Sequence, residues 1–234
     1  ADIAEKGGLK YHEIKTNPFT LAMYYQEGAA TEFTVYIEGD GFAYVTPTTL
    51  SSNPTPTTPT ALILAVSDPT EGVIYLGRPC QYIDIKKDRY CSDKYWSSHR
   101  FADEVISSFD QALNYIRTSI SDAKFHLVGY SGGGAVAVIL AAHRTDVESV
   151  RTVAGYLDHV ALNRAVGVAP LTGSLDPIEI APALRDIPQV HYFGLNDRVI
   201  PAWVSANFVT AIGSRNCARS AIVNGADHVS GWAA

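Results

Sequence analysis

The sequence is poor in cysteine, and its cysteines lack the spacing of a metal site. The 234 residues include three of them, Cys80, Cys91 and Cys217. No CxxC pair or Cys/His cluster has the spacing of zinc ligands, so we expect no structural metal. Cys80 and Cys91 are near enough in sequence to close a short loop. A disulfide there would contribute roughly 3 kcal/mol in the chain-entropy model; three buried, reduced thiols are the alternative.

Long apolar runs and an excess of positive charge are also missing. No apolar run reaches the roughly 18 residues that span a bilayer, so we expect no transmembrane segment. The net charge of −6 offers no basic surface to a nucleic-acid backbone. The phosphate-binding strings GxxxxGK(S/T) and GxGxxG are absent, which argues against a nucleotide-binding loop.

What is present suits one large α/β domain over residues 1–234. Hydrophobic residues make up 47% of the chain and charged residues 18%, which is enough apolar surface for a sizeable core. Apolar and β-branched segments predict strands at residues 9–14, 19–25, 33–37, 73–76, 125–128, 150–153, 190–193 and 221–223. Apolar residues at three- and four-residue steps from Phe101 to Ile120, and the small residues of 132–143, predict helices.

This alternation predicts a mostly parallel central sheet with helices on both faces. In such sheets, functional residues lie beyond the carboxyl ends of the strands. Two segments are less regular. Residues 61–66 suit either a helix turn or a strand, and residues 46–60, with four prolines and seven threonines, suit a surface loop.

A candidate nucleophile follows the strand predicted at 125–128. Residues 129–133 read Gly-Tyr-Ser-Gly-Gly, a G-x-S-x-G string between a predicted strand and a small-residue helix. Such a turn holds the serine hydroxyl clear of the sheet, with the helix N-terminus aimed at the same point. Ser131 is therefore the candidate nucleophile; a glycine-rich turn with an idle serine is the alternative.

A serine hydroxyl needs a base, and the base needs an acid to orient it. Of the histidines after Ser131, His228 alone follows the last predicted strand in a loop, which makes it the preferred base. Asp197 follows the strand at 190–193 and is the preferred acid, with Asp158 as its rival. Asp227 suits a loop or capping role.

An oxyanion hole requires two N–H donors. We expect one from Gly132, the residue after the nucleophile, and the other from Asp40 or Gly41 in the Gly-Asp-Gly turn after residues 33–37. A carboxylate pointing into the hole would repel the oxyanion, so we expect only the backbone of Asp40 to face the site. A tight turn without function is the alternative reading of this segment.

With these motifs the chain resembles the α/β-hydrolase superfamily from about Phe33 to His228. The Gly-Tyr-Ser-Gly-Gly string, the segment 194–201 and the late histidine carry the resemblance. The chain is also similar to a set of exported bacterial α/β-hydrolases in residues 36–41, 76–82 and 152–158. The resemblance implies triad chemistry on Ser131, Asp197 and His228, export to the periplasm or medium, and a Cys80–Cys91 bridge. A chain that begins at Ala1 fits either removal of a signal peptide or shortening, and the cysteines favour the first.

We therefore expect hydrolysis of an ester or similar small acyl compound through an acyl-enzyme, without a metal or organic cofactor. Tyr130, Trp96 and residues 46–60 are expected to line the substrate pocket. The interval between residues 153 and 190 is too short for a large lid, which disfavours a long-chain lipase. The alternatives are a peptidase on the same triad, and a non-catalytic envelope binding protein with the same fold. A thiol enzyme using Cys217 is disfavoured, because no histidine near it in the sequence is placed to act as its base.

Overall fold

Strands and helices alternate along the chain in this computed structural model, which describes residues 2–213 and 217–232. The strands are β1 (Lys10–Lys15), β2 (Thr20–Tyr25), β3 (Glu32–Ile37), β4 (Tyr44–Thr46), β5 (Thr49–Leu50), β6 (Val73–Leu76), β7 (Lys124–Tyr130), β8 (Val147–Val153), β9 (Gln189–Gly194) and β10 (Ala218–Val223). The helices are α1 (Asp2–Lys6), α2 (Thr60–Ser67), α3 (Asp103–Ser119), α4 (Gly132–Ala142), α5 (His159–Val166), α6 (Pro177–Ile180) and α7 (Ala202–Ile212). Short 3₁₀ helices lie at Asp93–Trp96 and Ala181–Leu184.

Eight of the strands form one sheet in the order β1-β2-β6-β3-β7-β8-β9-β10. The six strands from β6 to β10 in that order run parallel. At one edge β2 pairs antiparallel with both β1 and β6. The mostly parallel α/β sheet predicted from the sequence is confirmed, and its carboxyl edge gathers the loops after β3, β7, β9 and β10.

Helices cover both faces of the sheet because its central strands are apolar on both sides. Val35 and Ile37 of β3 belong to a core cluster that includes buried residues of α3, α4 and α7. Tyr36, between them, belongs to a second cluster with residues of α1 and α2. Full burial of one such side chain is worth about 1.5–3 kcal/mol. The predicted deep packing of α4 is confirmed, since every residue from Gly132 to Ala141 is buried.

The two less regular segments now have definite structures. Residues 61–66 lie within helix α2, which starts directly after Pro59. The preceding segment is more than a surface loop, because it contains the small hairpin β4–β5 and buries Ser51 and Pro54. The carbonyl oxygens of these two residues each accept a hydrogen bond from elsewhere, Ser51 from Trp96 and Pro54 from Phe42.

Between β8 and β9 the chain forms only α5, α6 and a 3₁₀ helix, so the described residues contain no lid domain. Among the described residues, no helix has both the length and the apolar character needed to cross a membrane.

Candidate active site

Ser131 occupies the sharp turn between β7 and α4. Its backbone has φ 50° and ψ −119°, a region that costs a non-glycine residue about 1–3 kcal/mol. The surroundings hold this turn, because the Ser131 N–H donates to the Val153 carbonyl at 2.9 Å and its carbonyl accepts from Tyr156 N–H at 3.0 Å. A Cβ atom at Gly133 would lie 2.2 Å from the Ile37 carbonyl oxygen, so the turn can approach β3 only with glycine there.

His228 and Asp197 meet Ser131 at the carboxyl edge of the sheet. His228 follows β10 and Asp197 follows β9, as predicted. The Nε2 atom of His228 lies 3.2 Å from the Oγ atom of Ser131, and its Nδ1 atom lies 2.9 Å from Oδ2 of Asp197. If Nδ1 carries the proton toward Asp197, Nε2 is left to accept the proton of the Ser131 hydroxyl.

The surroundings of Asp197 favour its charged form. Burial raises the pKa of this carboxyl, but hydrogen bonds from His228 and from the N–H groups of Ile200 and Val199 outweigh it and hold the pKa below its ordinary value. The two N–H groups donate to Oδ1 at 2.8 and 2.9 Å. The other oxygen, Oδ2, therefore remains directed at the imidazole.

The rival residues lie outside this arrangement. Asp158 caps the N-terminus of α5 by accepting a backbone N–H at 3.0 Å. Asp227 accepts N–H groups within its own loop. His143 caps the C-terminus of α4, at the opposite end of that helix from Ser131. His191 is buried within β9, where burial lowers its pKa to about 4.

The turn after β3 and the start of α4 place backbone N–H groups near Ser131. Within the described ranges, the N–H groups of Asp40, Gly41 and Gly132 have no protein acceptor. A Cβ atom built on Gly39 would lie 3.3 Å from Cβ of Ser131, so the end of β3 lies directly against the nucleophile. Gly132 is the first residue of α4, where the helix dipole favours negative charge.

The expectation that only the backbone of Asp40 faces this region is wrong. A Cβ atom at Gly132 would lie 2.1 Å from Oδ1 of Asp40, so the carboxylate packs against the start of α4. Two arginines compensate its charge: Arg78 Nη1 lies 3.2 Å from Oδ1, and Arg100 Nη1 lies 2.7 Å from Oδ2. Apart from the presence of Arg78 in residues 76–82, no pattern in the sequence indicates this cluster.

Ser131 and His228 open into a cavity of about 550 Å³. One wall is aliphatic, and residues of the 46–60 segment form part of the rim, as expected. The wall and rim include Phe42, Pro56, Thr57, Thr58, Leu162, Val166, Val168, Val199 and Ile200. Arg100 and Tyr156 lie at its junction with a second cavity.

The two aromatic residues predicted to line the pocket have different positions. Tyr130 does line the cavity, and its hydroxyl donates to the His228 carbonyl at 2.8 Å. Trp96 does not, because it is buried against Ala43 and Cys80. Its indole N–H donates to the Ser51 carbonyl at 3.0 Å, which satisfies the polar group inside this small core.

Cys80 and Cys91 form a disulfide with their Cα atoms 5.6 Å apart, and Cys217 is a free, half-buried cysteine. The disulfide closes a loop of the segment between β6 and the first 3₁₀ helix. Among residues 2–213 and 217–232, no group of three or more His, Cys, Asp or Glu side chains is arranged to hold a metal ion.

A strained serine at a strand–helix turn, backed by a mostly parallel sheet, defines an α/β-hydrolase fold. The serine hydrolase (FSH1) family model matches residues 76–229. The chain belongs to that family and is a serine hydrolase. No relative of significant similarity was found among curated proteins.

Solved structures share the fold at low sequence identity. An alpha-beta serine hydrolase homologue from Coxiella burnetii is 16% identical, with a TM-score of 0.61 over 94% of this chain and 89% of that one. A serine hydrolase without a lid from Xanthomonas campestris is 9% identical, with a TM-score of 0.59 over 94% and 86%. A puromycin-hydrolyzing peptidase from Mycobacterium tuberculosis is 15% identical, with a TM-score of 0.63 over 94% of this chain and 36% of that one.

Proposed function

We propose that this protein hydrolyses an ester or related acyl bond of a small substrate, with Ser131 as nucleophile, His228 as base and Asp197 as the orienting acid. The observation that carries the proposal is the continuous path from Ser131 Oγ through His228 to Asp197, at 3.2 and 2.9 Å. Ser131 lies beside the N–H groups of Asp40, Gly41 and Gly132, and the side chains of Ser131 and His228 line a cavity.

The chemistry follows from these positions. His228 Nε2 takes the hydroxyl proton as Ser131 Oγ attacks the substrate carbonyl carbon, and the carbonyl oxygen becomes an oxyanion. The N–H group of Gly132 and that of Asp40 or Gly41 would stabilise that charge; each such donor is typically worth about 3–4 kcal/mol. His228 then donates the proton to the leaving alcohol. Water attacks the acyl-enzyme with His228 again as base, which releases the acid and restores Ser131.

The cavity supports a substrate with an apolar acyl group of modest size. Its aliphatic wall suits a hydrocarbon chain, and about 550 Å³ is within the ordinary range of small-molecule sites. A peptidase on the same triad is the second candidate. It is favoured by the shared fold of the Mycobacterium tuberculosis structure, which is named as a peptidase.

The test compares p-nitrophenyl esters of graded acyl length with short peptide amides, on the wild type and on Ser131→Ala. A fluorophosphonate probe should label the wild type and leave Ser131→Ala unlabelled. Ser67→Ala, which removes an exposed hydroxyl on α2, is the matched control and should behave as the wild type. Faster cleavage of amides than of esters would select the peptidase. Folded wild type that neither turns over substrate nor takes the label would favour a binding protein.

We also propose that the protein acts outside the cytoplasm, in the periplasm or medium. The Cys80–Cys91 disulfide supports this location, because such bonds persist in oxidising compartments. Thiol labelling of protein taken from its native host should then find one reactive cysteine after unfolding. Three would place the protein in a reducing compartment.

A further inference from the structure

The side chain of Gln81 contacts the residues that follow β3, of which Gly39 packs against Ser131. It is 1% exposed. Its Nε2 atom donates to the Gly39 carbonyl at 3.0 Å, and its Oε1 atom accepts from the Arg78 N–H at 3.1 Å. A Cβ atom at Gly41 would lie 2.6 Å from Nε2, so the amide packs against Gly41 as well as Gly39.

The bond to Gly39 has a direct consequence for the next residue. The Gly39 carbonyl and the Asp40 N–H belong to one peptide group, which is planar and trans, so the two bonds point in opposite directions. Because Gln81 Nε2 donates to the Gly39 carbonyl, it holds this peptide group so that the Asp40 N–H points away from Gln81. It also polarises that N–H, because hydrogen bonds in series strengthen one another.

The backbone around Gln81 is built to hold this side chain in place. Cys80 and Tyr82, on either side of it, have φ of 71° and 59°, a conformation that non-glycine residues adopt only where the surroundings impose it. The disulfide to Cys91 restrains Cys80, and the Tyr82 N–H donates to Thr55 Oγ1 at 2.9 Å. Arg78 adds a third restraint through its contact with Asp40.

We infer that Gln81 is a positioning residue of the oxyanion hole, acting through the Gly39–Asp40 peptide. The inference rests on the proposed acyl-transfer function and selects Asp40, rather than Gly41, as the second donor. Gln81 touches no substrate atom in this scheme. Its loss should weaken binding of the transition state and leave binding of the ester itself nearly unchanged.

Gln81→Met, which keeps the side-chain volume and removes both amide bonds, is the main test. We expect kcat for a p-nitrophenyl ester to fall about 10- to 100-fold, the range that follows misplacement of catalytic groups by up to about 1 Å, with KM within about twofold of the wild type. The Ki of a trifluoromethyl ketone, whose adduct with Ser131 places an oxyanion in the hole, should rise by the same factor as kcat falls. Gln81→Glu retains the acceptor for Arg78 but loses the donor to Gly39, and should lose kcat in the same way.

The matched control is Gln189→Met. Gln189 is also buried, and its Nε2 donates to the carbonyls of Leu184 and Ile187 at the amino end of β9, away from Ser131. This variant should lose stability while keeping kcat and the ketone Ki. If Gln81→Met and Gln81→Glu, folded by circular dichroism, keep the wild-type kcat and Ki, the inference is overturned. The same assay includes the wild type and Ser131→Ala. Turnover by the wild type that is lost in Ser131→Ala shows that the proposed function holds, so that unchanged Gln81 variants then overturn only the role of Gln81.

Discussion

The Tyr130 hydroxyl donates a 2.8 Å hydrogen bond to the backbone carbonyl of His228. The two rings also lie close, with centroids 5.5 Å apart and an angle of 36° between their planes. The residue that precedes the nucleophile therefore holds the loop that carries its base. The indole N–H of Trp232 donates to the same carbonyl at 3.2 Å, so the loop has two attachments.

Tyr130→Phe should lower kcat about 3- to 10-fold with little change in KM, because one of the two attachments is lost and small displacements of a catalytic base are costly. Steady-state kinetics on a p-nitrophenyl ester measure the effect. Tyr115→Phe removes a hydroxyl that contacts His12 on the far surface and should leave kcat unchanged. Equal kinetics for the two variants would show that the Tyr130 bond does not position His228.

Asp197→Asn should lower kcat by about 10⁴-fold, the effect of replacing the acid of a serine triad, because the amide favours the wrong histidine tautomer. The amide oxygen can still accept the N–H groups of Val199 and Ile200, so the loop should stay folded. Asp158→Asn, at the rival position, is the comparison. It alters only the cap of α5, so its kcat should match that of the wild type. Loss of activity in Asp158→Asn alone would reverse the assignment of the acid.

The positions of Ser131, Asp197 and His228 could be predicted because each follows a strand that its local sequence reveals. The carboxyl ends of parallel strands meet at one edge, so chain order was enough to bring the three residues to the same region. Side-chain contacts between distant loops were not predictable in this way. The orientation of the Asp40 carboxylate depends on Arg78 and Arg100, and no local pattern links these three residues.

The prediction that Trp96 lines the pocket was wrong for the same reason. Its position and aromatic character suggested a pocket wall, whereas its burial depends on Cys80 and on the carbonyl of Ser51, which come from two other loops. The segment 46–60 similarly gained buried residues through partners that its own sequence does not indicate. These contacts form only after the sheet has brought the loops together.

Glu38 should make the protein less stable as the pH rises from about 4.5 to 7. Burial raises the pKa of this carboxyl from an ordinary value of 4.5 to about 7, despite hydrogen bonds from the Gly39 N–H and the Tyr75 hydroxyl. In that pH range the folded protein keeps a proton that the unfolded chain has released, so stability present below pH 4.5 is lost toward pH 7. The full loss is about 3 kcal/mol.

Urea unfolding of the wild type and Glu38→Gln at pH 4, 6 and 8 measures this effect. The Gln variant keeps an acceptor for the Gly39 N–H, so it should match the wild type at pH 4 and exceed it at pH 8. Glu71→Gln, at an exposed position, controls for the change in net charge. Parallel pH dependence in the wild type and Glu38→Gln would assign the decline to other groups.

Arg100→Met should lower kcat about tenfold, because it removes one of the two cations that compensate the Asp40 carboxylate beside Gly132. An uncompensated carboxylate there opposes the oxyanion that forms on the substrate. The methionine keeps the apolar stem of the arginine. Folding is verified by the urea midpoint, since the variant removes one ion pair of a partly buried cluster. The double variant Asp40→Asn/Arg100→Met removes the negative charge as well and keeps an oxygen for Arg78. It should recover part of the lost kcat. A double variant no faster than Arg100→Met would mean that Arg100 acts through packing, and that the charge of Asp40 has no influence on the reaction.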